Sequence, residues 1–228
     1  FITAIEYGDM QLIAEAYWVM KKLLDLTNEE MADVFARWNE GKLRSYLIEI
    51  TANILRHKDK SGGYLIDKIL DAPDRKEPAN GRSINAMELG MPLGLIATAV
   101  FERSLSAQKD LRHLASRQYQ CQHTQPIYNK VELVKNIFSA LYASKLVSYA
   151  QGFAVLQRAS DAFDWHLDLA SIARMWRGGC IIIRSIFLND IAAAFEATDK
   201  PKHLLLAPYF KEEMKTLLPG WKNLVAEA

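Results

Sequence analysis

Thr3, Glu6 and Tyr7 stand at spacings of three and four near the start of the chain. On a helix that spacing puts a hydroxyl, a carboxyl and a phenol on one face. An acid beside a phenol on an otherwise apolar helix is costly unless partnered. The chemistry it permits is proton donation beside a phosphate-binding hydroxyl. A plainer reading, a helix N-terminal acid next to a core tyrosine, accounts for the same residues. Two cations extend the chemical reading. Lys76 lies in a polar loop, and Arg103 ends the run Ala99-Val100-Phe101-Glu102. Singly, each reads as a solvated surface charge. Together they would clamp a phosphate, although spacing alone does not bring them together.

Other chemistries find less support. His57, His113, His123, His166 and His203 share no ligand spacing, so a metal site is not expected. There is no P-loop. Gly178-Gly179 follows Trp176-Arg177 between predicted helices, not a strand, so it is not a dinucleotide fingerprint. It reads as a turn or a close helix crossing. Cys121 and Cys180 match no metal spacing and form no disulfide framework, which suits a reducing, cytoplasmic setting. A net charge of +1 with both signs interspersed gives no electrostatic case for nucleic acid or an anionic membrane. The apolar stretch from Met91 to Phe101 is far too short to span a bilayer.

The elements that must position these residues read as helices. The chain has 228 residues, 50% of them hydrophobic, enough to bury a sizeable core. From Ile5, one stripe runs Ile5, Leu12, Ala16, Val19, Leu23 and a second runs Met10, Ile13, Tyr17, Met20, Leu24. Two adjacent stripes predict a largely buried helix ending near Asp25-Leu26. Thr27-Asn28-Glu29-Glu30 predicts a cap for the next helix, which runs to about Glu40. Further helices are predicted over 43–56, 64–70, 84–89 and 93–108 or beyond, then 131–159, 169–176, 181–197 and 204–217, with loops at 57–82 and 116–128. No alternating strand of useful length and no fixed-period repeat is present. The expected fold is all-α, with residues 1–228 as a single domain built around long buried helices.

Five stretches together resemble the C-terminal helical domain of decarboxylating 6-phosphogluconate dehydrogenase: "IEYGDMQLIAEAY" (5–17), "SYLIEITANIL" (45–55), "ALYASKLVSYAQGF" (140–153), "MWRGGCIIIRSIFL" (175–188) and "LLLAPYF" (204–210). The match spans essentially the whole chain and is weak at 57–83 and 110–130. The resemblance implies a pentose-phosphate oxidoreductase that uses NADP to oxidise 6-phosphogluconate, releasing CO₂ and ribulose 5-phosphate. It implies a homodimer formed through the helical domain. Glu6 corresponds to the general acid that protonates the enediol, and Tyr7, Lys76 and Arg103 to positions that bind the substrate phosphate.

The departures from the family pattern matter as much. The family's general base is a Lys preceding "HNGIEYGDMQ", which would fall upstream of Phe1. Ile2 and Thr3 stand where that motif has His and Asn, and Pro78 stands where it has a phosphate-binding Thr. Proline offers neither hydroxyl nor N–H. Residues 181–183 hold one Ile more than the usual "GGCIIRS", and an inserted residue turns a helix by about 100°. Both ends read as cut, without the nucleotide domain and without the tail that supplies an Arg and a His to the partner's site. The expectation is therefore a substrate-binding and dimerisation piece, inactive alone, that binds no NADP by itself and 6-phosphogluconate weakly or not at all. Exposed apolar surface is expected where the missing parts would dock. Two alternatives stand beside this: a diverged, non-catalytic helical dimerisation module, and a stand-alone sugar-phosphate binder.

Overall fold

A computed structural model describes residues 2–73, 88–119, 129–180 and 183–227. Nine α-helices are described: α1 (Ile2–Leu23), α2 (Asn28–Asn39), α3 (Tyr46–Arg56), α4 (Gly94–Ser106), α5 (Lys109–Gln118), α6 (Lys130–Phe163), α7 (Leu169–Gly179), α8 (Leu188–Glu196) and α9 (Pro208–Glu227). Short 3-10 turns occupy Leu65–Lys68 and Leu204–Leu206. Among the described residues no strand forms, only isolated bridges between Ser45 and Ser185 and between Lys58 and Tyr64. The all-α expectation holds.

The 34 residues of α6 span about 51 Å at 1.5 Å per residue. Every side chain from Ala140 to Leu146 is buried, so this stretch is enclosed on all sides. Helices α1 and α9 pack along it, and α4 and α7 touch it further along. The core is continuous: Ile5, Met20 and Phe35 join Tyr149, Phe153, Phe187 and Phe210 in one cluster. Tyr149 and Phe187 meet edge-on with ring centroids 4.8 Å apart, a geometry that favours the pair beyond its buried area.

The helix ends follow the local chemistry. Thr27 Oγ1 accepts from the Glu30 amide at 3.2 Å and Glu30 Oε2 accepts from the Thr27 amide at 2.7 Å, a reciprocal capping box at α2. Asn129 and Asp168 cap α6 and α7 with their side-chain oxygens. Asp164 closes α6 in the left-handed conformation (φ 56°).

Several predicted boundaries are corrected. The helix expected from 181 begins at Leu188. Residues 184–186 spend their backbone groups on the chain entering α3: Tyr46 N–H donates to Arg184 O (3.2 Å) and Ile186 N–H to Arg44 O (3.1 Å). That tertiary pairing overrides the helical pattern. Ile181 and Ile182 lie outside the described residues; Cys180 and Ile183 on either side of them are not helical. Part of the loop expected from 116 is helical, as α5 reaches Gln118. The helix expected over 204–217 is a 3-10 turn followed by α9, with Pro208 at its first position, and it continues through Pro219 to Glu227. Within α1, Met10 and Trp18 are exposed, so only the stretch from Ala4 to Asp9 is nearly enclosed. Gly178 and Gly179 make no close crossing: a Cβ at either would meet nothing within 4 Å.

Candidate functional site

Three of the candidate residues, Thr3, Glu6 and Tyr7, sit in the first two turns of α1. Tyr7 is buried and the preceding Glu6 is half-buried, as is Thr3. Helix α4 packs against α1, and Arg103 from its last turn lays its guanidinium over the Tyr7 ring, with Cζ 5.1 Å from the centroid. A cation over an aromatic face is attracted by the ring quadrupole, by about 0.5–2 kcal/mol depending on desolvation. The pair also orients Arg103 beside the phenol. Residues almost a hundred positions apart in sequence therefore meet, and a phenol and a guanidinium stand together, with Glu6 adjoining Tyr7 in the chain. Lys76 and Pro78 lie outside the described residues.

Two close approaches fix α1 against α6. A Cβ on Gly8 would stand 2.6 Å from Ser148 Oγ, and a Cβ on Gly152 would stand 2.5 Å from Ile5 Cδ1. Both glycines are needed for the contact distance, and both flank the Glu6–Tyr7 turn. A third tie is ionic. Lys145 on α6 is fully buried and its Nζ lies 2.5 Å from Asp9 Oδ2, with Asp9 1% exposed. Burial pushes the Asp9 carboxyl above the usual range, while the charge and hydrogen bond of Lys145 pull it back down. Asp9 Oδ1 has no hydrogen-bond partner among the described residues. One turn along α6, the Tyr149 hydroxyl donates to Ile183 O at 2.6 Å. Burial, with Asp9 nearby, holds that phenol well above its ordinary pKa, so it is a neutral donor. Tyr149→Phe is expected to lower stability by about 1–3 kcal/mol, because the Ile183 carbonyl is left unpaired; urea denaturation followed by circular dichroism measures it.

Sequence reasoning assigned no role to Asp9, Lys145 or Tyr149. One signal was available: a Lys inside the apolar run from Leu141 to Phe153 must either break the buried face or find a carboxylate.

No cluster of His, Cys, Asp or Glu suited to a metal ion occurs among the described residues. The described residues also do not fit NADP. Their only strand-like pairings are the two isolated bridges, and Gly178-Gly179 lie in the last turn of a helix. That is not the strand, Gly-rich turn and helix that cradle a dinucleotide. None of the described helices is long and apolar enough to cross a membrane.

The described residues define a class by architecture, an all-α domain built around one long buried helix. A family model described as 6-phosphogluconate dehydrogenase, C-terminal domain, matches residues 3–228. The decarboxylating 6-phosphogluconate dehydrogenase of Treponema pallidum is 48% identical over 230 residues, covering 98% of this chain and 47% of that protein. Its counterpart in Schizosaccharomyces pombe is 46% identical over 224 residues, covering 98% and 45%. Among solved structures, Plasmodium falciparum 6-phosphogluconate dehydrogenase superposes with a TM-score of 0.94 at 40% identity, covering 99% of this chain and 49% of that one. That enzyme was determined in its apo form, with its cofactor NADP+ and with its substrate 6-phosphogluconate. The chain belongs to the 6-phosphogluconate dehydrogenase family. It spans about half the length of the curated relatives it matches.

Proposed function

We propose that residues 1–228 form one helical domain that binds substrate and mediates dimerisation in an NADP-dependent oxidative decarboxylase. The substrate is 6-phosphogluconate, and the products are ribulose 5-phosphate and CO₂. Glu6 is the general acid that returns a proton to the enediol left after decarboxylation. Tyr7, Arg103 and Lys76 hold the substrate phosphate. The observation that carries the reading is the guanidinium of Arg103 seated over Tyr7, next to Glu6 in the chain. A phosphate placed there would take hydrogen bonds from the phenol and the guanidinium fork, with its sugar chain toward Glu6. Hydride transfer belongs to a nucleotide seat that the described residues do not provide. In this reading the described residues supply substrate binding and proton return, and hydride transfer is carried elsewhere. A cytoplasmic setting fits the half-buried free thiol of Cys180.

Calorimetric titration of 6-phosphogluconate into the purified chain tests this. Saturable binding in the millimolar range is expected, weakened about tenfold or more by Arg103→Ala, since a hydrogen bond to a charged group contributes about 1.5–3 kcal/mol. Absence of binding at saturating millimolar ligand, or binding indifferent to Arg103→Ala, rejects the phosphate assignment.

A further inference from the structure

A cavity of about 600 Å³ opens where the start of α3, the end of α7 and the segment before α8 meet, and it shares no residue with the Glu6, Tyr7 and Arg103 site. Four arginines line it: Arg44, Arg174, Arg177 and Arg184. The bridge between Ser45 and Ser185 builds one wall. Side chains alternate across such a pairing. Both serines are buried, and Arg44 and Arg184, each one residue away, are exposed on the other face. Arg177 comes from the last turn of α7, and Arg174 lies one turn before it.

Most of these cations are not neutralised by a neighbouring carboxylate among the described residues, and they line one cavity. Some basic side chains elsewhere meet carboxylates, as in Lys21–Asp67 at 2.8 Å and Lys42–Glu213 at 2.6 Å. In the cavity only Arg174 does so, with Glu196. Arg44, Arg177 and Arg184 have no carboxylate partner among the described residues, and Glu49 is the one acid in the wall. Guanidinium groups gathered around one cavity repel one another until an anion arrives. The positive end of the α3 dipole adds to the same field.

We propose that this cavity binds a small phosphorylated metabolite through Arg44, Arg177 and Arg184. Its volume suits a ligand of that size. Three unpaired guanidinium forks offer more N–H donors than one carboxylate accepts, and the oxygens of a phosphate group take them up. Tyr46 lines the same space.

Inorganic pyrophosphate is the probe, titrated calorimetrically into the chain, with citrate as a carboxylate of comparable charge. Saturable, sub-millimolar pyrophosphate binding is expected, falling as KCl is raised. Arg177→Gln and Arg184→Gln should each weaken it about tenfold or more, and citrate should bind far more weakly. Both side chains are exposed, so the urea midpoint of each variant should match the parent. Three results overturn the proposal: no saturation, full pyrophosphate affinity in both variants, or citrate binding as tightly as pyrophosphate.

Discussion

Lys145→Met should destabilise the chain by about 3–5 kcal/mol, although methionine fills nearly the same space. The cost arises at the other end of the pair. Asp9 stays 1% exposed, one oxygen already lacks a partner among the described residues, and its counter-charge is gone. A carboxylate in that position must either remain charged in a low-dielectric interior or take up a proton. The second route gives a pH signature. Burial already raises the folded-state pKa of Asp9, and losing Lys145 raises it further. A group whose folded pKa lies above its unfolded value holds more protons when folded, so its stability contribution is intact at pH values below the unfolded pKa. That contribution is lost as pH rises through the folded pKa. The variant should therefore approach the parent's stability near pH 4 and fall away toward pH 7. Replacing both residues by apolar ones, Asp9→Leu with Lys145→Met, should recover most of the loss, because no charge is left uncompensated. Urea midpoints for the four chains at two pH values form a double-mutant cycle. If the double variant shows the sum of the two single losses, the pair is not the source of the effect.

The same pair shows where the sequence could be read and where it could not. Local rules found the elements whose signals are local. Thr27 and Glu30 read as a cap and make one, and the apolar period of 131–159 became the central helix α6. Local rules failed where partners come from far away in the chain. The run Ile183-Arg184-Ser185-Ile186 reads as helix, but its backbone bonds go to Arg44 and Tyr46, and no window of twenty residues contains that information. The site divides in the same way. Glu6 and Tyr7 stood out by spacing along one helix. Arg103 was joined to them only by family resemblance, because the contact over Tyr7 depends on how α4 crosses α1. Gly178-Gly179 drew attention as a possible crossing, while isolated glycines permit the close ones: Gly8 and Gly152 between α1 and α6, and Gly220 between α9 and α6. An isolated glycine in a helical pattern reads only as a weak spot until its neighbour is known.

Gly152→Ala should destabilise the chain by about 1–3 kcal/mol, against the general preference of helices for alanine over glycine. The reversal has a single cause. The new methyl would stand 2.5 Å from Ile5 Cδ1 and 2.8 Å from Ile5 Cγ1, and Ile5 is fully buried with nowhere to turn. Either Ile5 leaves its rotamer or α1 lifts from α6. Ile5→Ala alone creates the opposite fault, a cavity, at about 2–5 kcal/mol. Combined, the two changes place a methyl where the isoleucine tip was removed, so the double variant should be more stable than the sum of the single losses predicts, by about 0.5–3 kcal/mol. Ile5 adjoins Glu6 and Tyr7 in the chain, so a lifted α1 also carries the phenol away from Arg103. Gly152→Ala should then weaken 6-phosphogluconate binding without touching a ligand-contacting residue, and adding Ile5→Ala should restore part of it. Calorimetric titration and urea denaturation on the same four chains separate the cases. If binding is lost in Gly152→Ala and unchanged on adding Ile5→Ala while stability recovers, the α1–α6 contact does not set the geometry of the site.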